Sequence, residues 1–179
     1  ALSARQSRPA ARVAARPPVS QRDLAGMRAA LALAREAAAR GEVPVGAVVL
    51  AGDALLGQAH NECVSRRDPT AHAELLALQR ALAGAASDRL PEATLYLTLE
   101  PCAQCAGAIV LTKVGRVVYA ASDPKAGMAG SVADLLRHSG LNHRPEVLAG
   151  VLADEAGELL KRFFAERRGS AEQGPLPPA

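Results

Sequence analysis

The chain has no tryptophan, two tyrosines and two phenylalanines among its 179 residues. A core of stacked aromatic layers is therefore excluded, and the interior has to be assembled from Leu, Val and Ala. Long apolar runs are missing too. The longest candidate, Val43 to Ala51, is interrupted by Pro44 and falls well short of the ~20 residues that cross a bilayer. Neither a transmembrane segment nor a membrane partner is expected. Cysteine is scarce: three residues cannot all pair, which excludes a disulfide scaffold and favours a reducing compartment. Acidic residues are absent from positions 1–22, which carry Arg5, Arg8, Arg12, Arg16 and Arg22. The net charge is +3, so the remaining residues carry −2. The part that folds is not basic overall, and any nucleic-acid contact must come from local patches or from the arm.

The length suits one domain with loose ends. Residues 1–19 are Ala, Arg, Pro and Ser without apolar periodicity and read as a disordered basic arm. Arg- and Ser-rich, acid-free composition also resembles an organellar targeting peptide. The expected location is the cytoplasm, or an organelle if the arm is a targeting remnant. Residues 20–168 form the expected domain, and 169–179, with Gly and three Pro, a second loose tail.

Ser20 with Asp23 forms a capping-box pattern, and Leu24, Met27, Leu31, Ala34 and Ala38 continue at helical spacing until Gly41. Val43 to Ala51 and Ala54 to Ala59 read as a hairpin turned by Gly52-Asp53. Helices are expected over His72–Leu82, Cys102–Lys113 and Asp154–Arg168, and strands over Thr94–Leu99, Arg116–Ala121 and Glu146–Val151. Ser131 with Asp134 suggests a further helix through His138. Strands alternating with helices imply a three-layer α/β/α fold, its central mixed sheet of about five strands covered on both faces.

The chemistry lies in two short segments, Thr70-Ala71-His72-Ala73-Glu74 and Pro101-Cys102-Ala103-Gln104-Cys105. Residues i and i+3 share one side of a helical turn, so Cys102 and Cys105 converge. A helix start also lowers thiol pKa. With His72 they make three ligands of the kind zinc prefers. Structural zinc closes its shell with four protein ligands, whereas catalytic zinc keeps three and leaves a place for water. No further Cys or His stands at finger-like spacing. Glu74 is not a ligand, and a carboxylate beside such a site is suited to moving protons. Cys63 reads as a small, semi-buried residue.

The pattern His-x-Glu followed by Pro-Cys-x-x-Cys resembles the zinc-dependent nucleobase deaminases of the cytidine/deoxycytidylate deaminase superfamily. Over roughly residues 22–168 the chain looks most similar to the bacterial-type tRNA adenosine deaminases. Glu42 to Val49, Asp68 to Glu74 and Leu99 to Cys102 carry the shared core. Asp123-x-Lys125-x-Gly127, Leu141 to Arg144 and Leu159 to Phe164 resemble the tRNA enzymes in particular.

The resemblance implies a cytidine-deaminase-like fold and a homodimer that converts adenosine to inosine at the wobble position of a tRNA anticodon, on an arginine tRNA. It implies one zinc per chain on His72, Cys102 and Cys105, with Glu74 as the catalytic proton shuttle. Asn61, Ala73, Asp123 and Lys125 become the substrate-binding residues, Asn61 at the purine and Asp123 near the sugar. Lys113, Arg116, Arg144, Arg162, Arg167 and Arg168 join Lys125 as candidates for phosphate contact. Gln104 and Leu111-Thr112-Lys113 depart from the family pattern. Two rival readings use the same residues: a guanine or other free-base deaminase, and a non-catalytic RNA-binding subunit, which the presence of Glu74 disfavours.

Overall fold

The structure is a computed structural model and describes residues 18–172. Most of the expected basic arm, and the end of the tail, lie outside the described residues. Five strands, β1 (Gly46–Ala51), β2 (Ala54–His60), β3 (Thr94–Leu99), β4 (Arg116–Ala121) and β5 (Glu146–Ala149), form one sheet in the order β2-β1-β3-β4-β5. β1 is antiparallel to β2 and β3, while β4 is parallel to both β3 and β5, so the sheet is mixed as expected.

The strands alternate with period two, and both faces are apolar. Ala47, Val49, Leu95, Leu97, Val117 and Tyr119 point to one side, and Val48, Tyr96, Val118 and Ala120 to the other. Helices α3 (Ala73–Gly84) and α4 (Ala103–Thr112) cover the first face, and α1 (Gln21–Ala39) and α5 (Ala153–Glu172) the second. A short α2 (Cys63–Arg66) bridges β2 and α3. Among the described residues no helix is long and apolar enough to cross a membrane.

Small residues, not aromatic ones, set the spacing of the layers. A Cβ on Gly46 would lie 2.0 Å from the Ala30 carbonyl of α1, and one on Gly57 would lie 2.4 Å from the Ala77 carbonyl of α3. The alanine stripes Ala30-Ala34-Ala37 and Ala73-Ala77-Ala81 thus let each helix rest directly on the sheet, and close contact replaces bulk.

The capping box at Ser20 and Asp23 is present. Asp23 also reaches beyond its helix. It is buried, accepts from the Tyr96 hydroxyl at 3.3 Å and is paired with Arg116. Burial alone would raise its pKa, but the Arg116 and Ser20 hydrogen bonds outweigh burial and hold it at about 2. A carboxyl lowered from 3.8 to about 2 contributes stability above pH ~4 that is lost as pH falls through ~2. The contribution is about 2 kcal/mol. Asp23→Asn should therefore melt below the wild type at pH 7, with the difference narrowing between pH 4 and 2. A constant gap across that window would show that the pair does not control acid stability.

Three expectations change. The segment after β4 holds no helix at Ser131–His138. It is a tight loop with an isolated bridge between Ala129 and Asp134, because the Ser131 amide and hydroxyl are taken by Glu100 and cannot start a helix. The last helix runs past Arg168 to Glu172, so the tail does not begin at Gly169. Helices α3 and α4 start one residue later than expected, which makes His72 and Cys102 their N-caps.

Candidate active site

The carboxyl ends of β2, β3 and β4 lie at one end of the sheet, with the amino end of β1 between those of β2 and β3, and the chain segments at that end build one cavity. β2 delivers Asn61, β3 delivers Glu100 and Cys102, and β4 delivers Asp123. The cavity measures about 250 Å³, and its wall also includes Val43, Val45, Cys63, His72 and Glu74. That is below the ~300–1,000 Å³ of drug-sized sites and suits one planar heterocycle. A larger, shallower groove of about 600 Å³ runs between α1 and β2, but its charged residues Arg22 and Asp53 pair with each other at 3.2 Å and leave no reactive constellation there.

Two helix N-termini converge on the cavity. At both, the N-cap position that usually carries Ser, Thr, Asp or Asn carries a side chain able to ligate a metal instead, His72 or Cys102, and neither side chain caps its helix. The forgone cap costs about 1 kcal/mol per helix. In exchange, the positive ends of α3 and α4 face the sulfur and nitrogen atoms. The His72 Nδ1 atom is 3.5 Å from both Cys102 Sγ and Cys105 Sγ. The three ligand atoms lie within 4.8 Å of one another. A tetrahedral ion with Zn–S of ~2.3 Å and Zn–N of ~2.0 Å separates sulfur from nitrogen by about 3.5 Å, so the donor set has both the chemistry and the spacing for zinc. Gln104, between the two cysteines, donates to the Thr70 carbonyl at 2.8 Å and ties α4 to the turn that carries His72. One of the departures from the family pattern thereby has a structural role.

The thiols differ. Hydrogen bonds from Cys105 and His72 hold Cys102 down to about 3, whereas Cys105, which donates a hydrogen bond to Cys102 and is buried, is pushed up. Glu74 is 4 % exposed, and burial raises its carboxyl above the ordinary value. It sits in the first turn of α3, two residues after His72, and lines the cavity without belonging to the ligand set.

The other expected residues are placed unevenly. Asn61 is buried at the cavity wall, with Nδ2 donating to Glu42 at 3.2 Å and Oδ1 accepting from the Cys63 thiol at 3.3 Å. Cys63 is thus a cavity residue, its thiol pushed up by burial. Ala73 is the buried first residue of α3, between ligand and carboxylate. Asp123 lines the cavity and also shapes a turn, its Oδ1 accepting from the Lys125 and Ala126 amides at 2.9 and 3.2 Å. Lys125 is exposed on that turn and does not line the cavity.

The phosphate candidates divide by position. Arg116 is engaged by Asp23 and Glu146 at the amino end of β4, and Arg144 and Lys113 are near it, Lys113 bonding to Asn142. That end of the sheet is opposite the cavity. Arg167, by contrast, donates to the Gly41 carbonyl at 3.0 Å, next to the segment that becomes the cavity wall.

Two site residues, Glu42 and Glu100, have no local sequence signal beyond standing in the segments shared with the deaminases. Glu100 accepts from the amides of Asp123 (2.9 Å), Ala129 (2.9 Å) and Ser131 (3.0 Å) and from the Ser131 hydroxyl, so one buried carboxylate holds the whole loop after β4. A Cβ on Gly127 would approach that carboxylate to 2.4 Å, which is why the loop needs glycine there.

A three-ligand metal set, a buried carboxylate beside it and a cavity for one base, at the carboxyl ends of a mixed sheet, define a hydrolytic nucleobase deaminase. The MafB19-like deaminase profile matches residues 21–168. The tRNA-specific adenosine deaminase of Bacillus subtilis is 44 % identical over 79 % of this chain and 88 % of its own length, and that of Haemophilus influenzae 46 % identical over 79 % and 83 %. The chain belongs to the tRNA-specific adenosine deaminase family. A solved tRNA:A34 deaminase superposes with a TM-score of 0.73 at 38 % identity, covering 76 % of this chain and 99 % of that one. The guanine deaminase of Nitrosomonas europaea superposes at 0.69 with 28 % identity, covering 79 % and 84 %. A tRNA(Ile)-lysidine synthase of Deinococcus radiodurans is 49 % identical over 87 % of this chain, which spans only 27 % of that longer protein.

Proposed function

We propose that this protein deaminates adenosine to inosine at the wobble position of a tRNA anticodon, on an arginine tRNA, as a homodimer with one zinc per chain. The observation that carries the reaction is the buried Glu74 carboxyl set beside the convergent His72, Cys102 and Cys105 in a cavity sized for one base. The preference for tRNA is supported by relatives of 44 and 46 % identity named for that activity, against 28 % for the guanine deaminase.

His72, Cys102 and Cys105 would hold the zinc, which when bound supplies Lewis acidity that makes water a nucleophile near neutral pH. Glu74 takes one proton from the attacking water at its carboxylate and passes it to the purine ring nitrogen, then takes the second from the resulting C6 hydroxyl and passes it to the departing amine. Water and adenosine thereby become inosine and ammonia. Burial raises this carboxyl above its ordinary value, which favours uptake of a proton before it is passed on. Asn61 hydrogen-bonds the purine, and Asp123 lies toward the sugar. Lys125, on the same turn, faces solvent where the flanking phosphates would pass. A cavity of about 250 Å³ has no room for a base still stacked between its neighbours, so the target nucleotide must be splayed out of the anticodon loop. The unpaired thiols suit a cytoplasmic setting.

The deciding experiment offers purified protein an arginine anticodon stem-loop with adenosine at the wobble position, and guanine in parallel. Inosine on the stem-loop, with guanine untouched, is the expected result. Ammonia from guanine with an unchanged stem-loop would overturn the tRNA assignment in favour of free-base deamination.

A further inference from the structure

Glu42 takes no part in the chemistry above, yet it is the most enclosed carboxylate at the site: 0 % exposed, against 2 % for Glu100 and 4 % for Glu74. It directly precedes the wall segment containing Val43 and Val45. Its Oε2 accepts from Asn61 Nδ2 at 3.2 Å and from the Val64 amide at 3.0 Å, and its Oε1 accepts from the Ser65 amide at 2.7 Å. Asn61, Val64 and the Cys63 between them all line the cavity.

We propose that Glu42 is a positioning residue for the deamination: it sets the rotation of the Asn61 amide and so the donor–acceptor edge that the purine meets. The inference rests on Asn61 as the residue that hydrogen-bonds the base. A primary amide can turn by half a revolution with almost no change of shape, exchanging two donors for two acceptors. A site that reads a base must suppress that freedom. An ionised carboxylate only accepts, so it admits Nδ2 and rejects Oδ1. From the other side the Cys63 thiol donates to Oδ1. Both neighbours select the same rotation and leave one N–H and one lone pair of Asn61 for the base. Burial would push the Glu42 carboxyl up, but the Ser65, Val64 and Asn61 donors outweigh burial and keep it low, so it remains an acceptor. The same carboxylate also holds the start of α2, so the amide and the cavity lip are fixed as one piece.

A glutamine at this position has one acceptor oxygen where the carboxylate has two. In one rotation its amide hydrogens face Asn61 Nδ2 and the Val64 amide; in the other they face the Ser65 amide. In the first rotation the Asn61 orientation is no longer enforced, and in the second the start of α2 is released, so the amide and the cavity lip are no longer fixed as one piece.

The test is a double-mutant cycle on the full chain with Glu42→Gln and Asn61→Ala. It reads kcat and KM on the anticodon stem-loop, together with zinc content. Asn61→Ala should lower kcat/KM by ~10–100-fold, the usual result of an unmade hydrogen bond to the reacting group. Glu42→Gln should lower it by ~10-fold with zinc content unchanged, and by less than ~2-fold in the Asn61→Ala background, because a residue acting through Asn61 has nothing left to act on. Equal losses in both backgrounds would mean that Glu42 serves the scaffold alone, and would overturn the proposal. Unchanged kcat/KM in Asn61→Ala would remove the base-reading role and the proposal with it, while deamination itself stood.

If Glu42→Gln does not fold, a second pair decides. Asn61→Asp sets a carboxylate against Glu42 and should lower Tm. Adding Glu42→Gln to it supplies an amide donor to the new carboxylate and should restore Tm. No recovery would show that the two side chains do not control each other.

Discussion

Glu74→Gln is expected to purify folded, with wild-type zinc content, and to form inosine at least ~10²–10⁴-fold more slowly in a single turnover. The side chain lies outside the ligand set, so metal retention does not depend on it. Glutamine keeps the volume of a residue only 4 % exposed, so packing is preserved. What it cannot do is take up a proton and give it back. Near-normal turnover by the zinc-loaded variant would refute the proton-transfer role. Loss of zinc in this variant would place Glu74 among the ligands instead.

Cys102→Ala and Cys105→Ala are expected to abolish both metal binding and activity. The wild type should carry about one zinc per chain by elemental analysis, and either variant far less. Both variants should also melt at lower temperature, because binding energy at a site formed only in the folded chain is folding energy. The two substitutions strike at one helix turn from different sides. Cys105 is fully buried in α4, while Cys102 is the half-buried cap before it. Full zinc occupancy in either variant would overturn the ligand assignment.

What was legible in the sequence was local or periodic. The candidate ligands and Glu74 occupy short spacings: Cys102 and Cys105, three apart, share one side of a turn, while Glu74 in the first turn of α3 comes beside His72 because His72 is the extended N-cap outside the helix. The Ser20–Asp23 box, the short β-rich runs of β3 and β4, and the amphipathic spacing of α1 are likewise written within a few residues. Each appears in the structure nearly where expected.

Tertiary structure decided the rest. Glu42 and Glu100 stand in no local pattern, because their partners are 19 to 31 residues away and meet them only once folding has brought the strand ends together at one end of the sheet. The same long-range bonds explain where local reading misled. Ser131 with Asp134 has the spacing of a helix start, but the Ser131 donors satisfy Glu100, and the need of a buried carboxylate for partners outweighs a solvent-facing helix turn. Arg116 and Arg144 carry the charge for phosphate, yet the parallel register of β4 and β5 puts them at the end of the sheet away from the cavity. Sequence by itself determined which groups can do chemistry, since covalent spacing and helix or strand period act over a few residues. Only the fold decided which buried polar groups hold them in place, since every enclosed donor and acceptor must find its partner wherever the folded chain brings one.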